Sequence, residues 1–212
     1  VQFTIWAVIA VAIGGAVEII PMITIKSNIP TIETVTPYSP LELQGRDIYL
    51  REGCYNCHSQ QVRPFRSEVE RYGDYSKAGE FVYDYPFQWG SKRTGPDLAR
   101  TGDMNSKMYK SAAWHYNHML EPSTTSPGSL MPAYPWLFDN KLDNSSLERK
   151  IEVMQFLGVP YPEGYAAQAL SDLNDQAQKV ASEIPGADPN SEIIALIAYM
   201  HKVGSGISVS NK

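Results

Sequence analysis

Cysteine is nearly absent. The 212 residues contain two, Cys54 and Cys57, separated by two residues in "REGCYNCHSQQ". With no second pair, a four-cysteine zinc site is excluded. A zinc ion would need His115 and His118 to complete its ligands, a set available on paper only. The flanks also lack the β-branched strand that a thioredoxin-like dithiol expects before its motif. Strong charge is missing as well. Charged residues make up 19% and the formal net charge is −5, so nucleic acid finds no basic surface. No internal repeat or low-complexity tract is visible, and 43% hydrophobic residues suit a folded chain.

What is present at the two cysteines is a histidine, His58, directly after the second. C-x-x-C-H is the attachment signature of c-type haem. Two thiols add to the two vinyl groups, and the next residue swings its imidazole under the iron. We therefore expect one covalent haem c on Cys54 and Cys57, with His58 as an axial ligand of the iron.

From Phe3 to Ile25 the chain is apolar apart from Thr4, Glu18 and Thr24. A helix of that length reaches roughly 35 Å, enough for a hydrocarbon core of about 30 Å. The run is too long for a signal peptide, and no small-residue cleavage site follows Ile25. The sequence does not open on methionine, and a short stub with cytoplasmic positive charge is expected ahead of Val1, so loop charges cannot give the orientation. The haem gives it instead. Haem c is attached outside the cytoplasm, so the N-terminus is expected inside, a single span in the bacterial inner membrane, and the haem domain in the periplasm. Glu18 either reaches the interface or faces another membrane protein. The small residues of "AIGGAVE" favour a helix packed in a complex.

The remainder reads as all-α. Residues 27–40 form a proline-rich linker. A helix follows, with Ser39 as N-cap, Pro40 in the first turn, Leu41, Ile48 and Tyr49 on one face and Gly53 as its stop. "NSEIIALIAYMHKVG" is a second helix, capped by Asn190 or Ser191 and closed by Gly204. The pair resembles the terminal helices of class I cytochromes c, where a glycine on the first lets an aromatic of the last cross closely. Gly45 and Tyr199 are the matching residues, with Tyr49 beside them. Further helices are expected over 105–121, 145–159 and 163–184, the last as an insertion, with 60–100 loop-like. The expected division is an anchor over 1–26, a linker over 27–40, a cytochrome c domain over 41–207 and a tail over 208–212.

The sixth iron ligand of an electron carrier is usually methionine in this class. Met104, Met108, Met119, Met154 and Met200 mostly sit at helical spacing, where methionine fills cores. Met131 lies in "PGSLMPAYPWL", a loop stiffened by Pro127, Pro132 and Pro135. It is the expected ligand, with His115 or His118 as the fallback. A closed His/Met site leaves no open position for catalysis at the iron. In "RTGPDLAR" the Gly-Pro turn can set the Pro96 carbonyl on the Nδ1–H of His58, orienting the ring. Arg93, with Arg63 and Arg66 behind it, either pairs with haem propionates or is a solvated charge.

"GRDIYLREGCYNCHSQQVRPFRSEVERYGDYS", "DYPFQWGSKRTGPDLAR" and "MPAYPWL" together resemble the mono-haem cytochrome c subunit (subunit II) of cbb3-type cytochrome c oxidases. The likeness runs from the anchor to about residue 137 and is less diagnostic beyond. It implies an electron-transfer subunit of an oxygen-reducing, proton-pumping complex, with no catalytic centre of its own. Electrons would come from a di-haem cytochrome c subunit or a soluble cytochrome c. They would leave for the low-spin haem b of the haem–copper catalytic membrane subunit. Blocks 61–72 and 85–93 would form the docking surface. The resemblance also implies a calcium ion near the propionates there, with Ser91 as the expected contact, although no acidic calcium loop is visible. The runner-up readings are the anchored cytochrome c of a nitric oxide reductase and, in another class, an open-site haem enzyme or sensor.

Overall fold

The computed structural model describes residues 1–25, 29, 31–89 and 92–207. Helix α1, Gln2–Thr24, is long and apolar enough to cross a membrane, and none of its residues is buried. The described residues contain no β-strand.

Helix α2, Pro40–Arg51, starts where the sequence says it should. The Ser39 hydroxyl accepts from the Glu42 N–H, and the Glu42 carboxylate accepts from the Ser39 N–H, a reciprocal capping box with Pro40 in the first turn. In the segment between 60 and 100, regular structure is short: α3, Arg66–Tyr72, and a 3₁₀ turn, Ala78–Phe81. Helices α4, Ala112–Leu120, α5, Pro122–Thr125, α6, Trp136–Asp139, α7, Leu147–Phe156, α8, Ala169–Ser182, and α9, Glu192–Lys202, complete the order.

The helix expected over 105–121 begins seven residues late. Side chains take the backbone amides first: Asp103 accepts from Asn105 N–H and Ser106 from Met108 N–H. Such local bonds compete with helix, and Ser111 then caps α4 through Trp114 N–H. The expected helix at 163–184 opens as a 3₁₀ turn, Tyr165–Gln168, before α8. Helix α8 buries Leu173, Ala177 and Ala181 in the main core. Its Gln176 also accepts from the Ser39 hydroxyl at the start of α2.

Helix α9 is the centre of the domain. Glu192 through Met200 are buried without interruption, enclosed by α2, α4, α6 and α8. A helix apolar on every side needs such enclosure, and each of its large aliphatic side chains contributes about 1.5–3 kcal/mol by burial. The tightest crossing is with α2. A Cβ on Gly45 would lie 1.9 Å from the Ala195 carbonyl oxygen and 2.8 Å from Tyr199 Cβ. The two backbones therefore touch, as expected from the Gly45–Tyr199 pairing. Tyr49 and Tyr38 tilt against the Tyr199 ring at 5.3 and 5.8 Å. At the end of the crossing, Arg51 forks onto Glu192 with two bonds of 2.6 Å.

The 60–100 segment is held differently. Its apolar core is small: Val62, Tyr72 and Ala99, with Met108 against them. Buried arginines act as struts. Arg100 binds Glu80 and the Asp74 carbonyl. Arg46, reaching from α2, donates to the Pro86 carbonyl and lies 3.6 Å from Asp84.

Two outcomes follow. Gly45→Ala has to push α2 off α9, and we expect a loss of about 2 kcal/mol in denaturant unfolding despite the ~1 kcal/mol that alanine gains in helix propensity. The bond from Arg51 holds the Glu192 carboxyl below its ordinary value of 4.5. A depressed acid contributes stability above that value and loses it as pH falls through the folded value. Glu192→Gln should cost about 1 kcal/mol at neutral pH, since Arg51 is half exposed, and should flatten the acid limb of a stability–pH curve below 4.5.

Candidate haem site

Helix α2 ends at Arg51, and a 3₁₀ turn, Cys54–Asn56, follows. Cys57 N–H and His58 N–H both donate to the Cys54 carbonyl, at 3.1 and 2.9 Å. Thiols three residues apart in such a turn share a face. Both are free, Cys54 half-buried against the main core and Cys57 exposed. Burial, then the Glu52 carboxylate, pushes the Cys54 thiol up to about 12.

His58 is held on its far side. Its Nδ1 lies 2.8 Å from the Pro96 carbonyl oxygen. A carbonyl only accepts, so Nδ1 carries the proton and Nε2 is left with a bare lone pair. Burial pushes the imidazole down and keeps it in the neutral, ligating form, against the opposite pull of the Pro96 bond and Asp97. Gly95 lies flat against the ring: a Cβ there would sit 2.2 Å from His58 Cε1. Any other residue would move the ring or the loop. Gly95 N–H donates to the Cys57 carbonyl at 3.0 Å, closing the loop onto the motif.

Met131 is half-buried at the edge of the core, and its N–H donates to Ser129 Oγ at 3.2 Å. One hydrogen bond brings its loop toward the cysteines. Trp136 Nε1–H donates to Glu52 Oε2 at 3.1 Å, two residues before Cys54. The Tyr134 phenol is raised by burial and then by Cys54 and Cys57 themselves. The other candidates lie elsewhere: Met119, Met154 and Met200 in the main core, Met108 in the small one, and Met104 in solvent. His115 is buried edge-on to His201 and pushed down to about 3 by burial, then by His201. His118 stacks on Trp114, meets Thr125 Oγ1 at 2.6 Å, and feels His58 nearby.

Arg93 is fully engaged by protein groups. Nε donates to Ser59, Nη1 to Glu68, and Nη2 to the Gln61 carbonyl and Asp97, while the guanidinium covers the Tyr72 ring. Arg63 also binds Glu68, and Arg66 binds Glu70. Burial raises the Glu68 carboxyl, but the bonds from Arg93 and Arg63 outweigh it and hold the group below the usual range. Asp97, Ser59 and Glu68 escaped the sequence reading. Asp97 adjoins Pro96 in the motif, a signal that was available; nothing in the chain announces Glu68. Ser91 lies outside the described residues.

The residues present fit a c-type haem. Two free thiols share one turn, a neutral imidazole offers an unbonded Nε2, and a glycine leaves room for its ring.

No curated protein matches the chain. A family model described as the cytochrome c oxidase mono-haem subunit, FixO, matches residues 1–207. That span takes in the anchor, the haem motif and the helices beyond residue 137 where the sequence resemblance thins. The chain belongs to the FixO family, the membrane-anchored mono-haem electron-transport subunit of cbb3-type cytochrome c oxidase.

Proposed function

We propose that Cys54 and Cys57 hold the haem through two thioethers, that His58 is its proximal ligand, and that Met131 closes the opposite face. The observation that carries this reading is the 2.8 Å contact between His58 Nδ1 and the Pro96 carbonyl, which fixes the tautomer and leaves Nε2 free. When bound, the haem supplies a one-electron couple. The chain's residues attach it, orient its ligand and exclude water. With both axial positions filled, the subunit passes electrons and has no catalytic centre of its own. His/Met ligation raises the potential relative to His/His, as suits a donor to an oxygen-reducing centre.

The donor in this reading is the di-haem cytochrome c subunit or a soluble cytochrome c. The acceptor is the low-spin haem b of the haem–copper subunit, where oxygen is reduced and protons are moved. Attachment of haem c outside the cytoplasm puts α1 in the inner membrane with its N-terminus inside and the domain from residue 41 in the periplasm. Exposed Phe65 and Trp89, 58% and 61% accessible, support blocks 61–72 and 85–93 as the docking face. Arg46 and Arg93 brace those blocks from behind. Arg93 sits close enough to the ligand loop to act on the haem through Asp97, while its direct partners here are protein groups. This reading includes a calcium ion at the interface, with Ser91 as a contact.

Met131→Ala tests the ligand set. The haem should stay attached, the near-infrared methionine-to-iron band should vanish, and the ferrous form should bind carbon monoxide. Oxygen uptake by the complex should fall with it. A band that persists would assign the sixth position to another residue, with His118 the first to examine.

A further inference from the structure

We propose that Asp97 is a positioning residue for the His58 imidazole, tying the ligand to its hydrogen-bond acceptor and holding an ionised carboxylate behind them. This rests on the reading that His58 ligates the haem iron.

The geometry is a double clamp around one bond. Pro96 supplies the carbonyl and Asp97 follows it; His58 supplies the ring and Ser59 follows it. Ser59 Oγ–H donates to Asp97 Oδ2 at 2.5 Å. On either side, Gly95 N–H reaches the Cys57 carbonyl at 3.0 Å and Leu98 N–H the Ser59 carbonyl at 2.8 Å. The two stretches of chain are thus joined before, at and after the His58–Pro96 bond.

Asp97 is wholly buried and takes four donors. Oδ1 accepts from Ala99 N–H at 2.8 Å. Oδ2 accepts from Ser59, from Gln61 N–H at 3.0 Å and from Arg93 Nη2 at 3.3 Å. Three N–H or O–H donors and the Arg93 cation converge on the group, a setting that suits a carboxylate. A buried carboxylate is a poor means of stabilising a fold, because its desolvation offsets most of what its partners return. This one caps no helix, and all of its bonds go to residues flanking the ligand and its acceptor.

Two consequences for the haem follow. The clamp keeps the Pro96 carbonyl on Nδ1–H, which sustains the basicity of the ring. The fixed negative charge favours the ferric over the ferrous iron, moderated by the Arg93 cation on the same oxygen. Both effects act in one direction on the reduction equilibrium.

The test is a potentiometric titration of the purified holo-complex, with ferric electron paramagnetic resonance, for Asp97→Asn and Ser59→Ala. Asp97→Asn removes the charge at near-constant shape. It should shift the equilibrium about tenfold toward the ferrous form, about +59 mV for a one-electron couple, and move the ferric g-values as the ring turns. Ser59→Ala opens the clamp and keeps the charge. It should shift the equilibrium the same way but only roughly two- to threefold. A merely structural role would loosen the seat in both variants and move both equally. Equal shifts, or an Asp97→Asn shift under about twofold, would overturn the proposal. If Asp97→Asn fails to keep its haem, Ser59→Ala decides, and an unmoved potential overturns it. A wild-type chain without low-spin haem overturns the ligand reading and this proposal together. A low-spin wild type with an unmoved Asp97→Asn overturns this proposal alone.

Discussion

A hydrogen bond of 2.8 Å between an imidazole and a backbone carbonyl governs the rest of the domain. A histidine can bind iron only through a deprotonated nitrogen, and a mobile ring has two to choose from. The Pro96 carbonyl removes the choice. To do so, a loop thirty-eight residues further along the chain must arrive at the end of α2 with sub-ångström tolerance. Much of the fold can be understood as the means of holding that register. The Gly45 crossing fixes α2 against α9. The end of α2 fixes Cys54. The bond from Gly95 N–H to the Cys57 carbonyl and the Ser59–Asp97 contact fix the loop.

Two kinds of packing share the work. Around α9 the core is apolar and interlocked at backbone distance, so its geometry is set by shape. In the 60–100 segment there is little apolar volume, and guanidinium groups from the buried Arg46 and Arg100 and the half-buried Arg93 take its place. Each satisfies backbone carbonyls as well as carboxylates, which offsets the desolvation of charge in a chain stretch with few helical bonds. The result is a stiff polar platform carrying exposed aromatic rings next to the haem motif. That combination suits a subunit whose task in the oxidase is to present one redox centre to a partner at a fixed distance.

Much of this was legible in the chain because it depends on local chemistry. The cysteine–histidine spacing and the Ser39 cap with Pro40 need only sequence neighbours to be recognised, while the Gly45–Tyr199 crossing comes from the resemblance of the two helices to those of class I cytochromes c. The start of α4 was misjudged because Asp103 and Ser106 bind their own backbone, a competition that hydrophobic periodicity does not register. The face of α8 that joins the core is made of Ala169, Ala177, Ala181 and one leucine, Leu173, too small a stripe to distinguish from a solvated helix. Arg93 reads equally as a surface charge or a propionate partner; its engagement by Glu68, twenty-five residues away, requires the folded segment to be seen. Asp97 was hidden by its neighbours, since the motif drew attention to the proline carbonyl rather than to the carboxylate behind it.

The central claim is that the turn from Cys54 to His58 carries a covalently bound haem. The most direct measurement is the mass of the peptide spanning those residues after the purified chain has been denatured, extracted with acidified acetone and digested. The account predicts that peptide with one haem attached through both cysteines. An unmodified peptide, with the pigment left in the solvent, would contradict it.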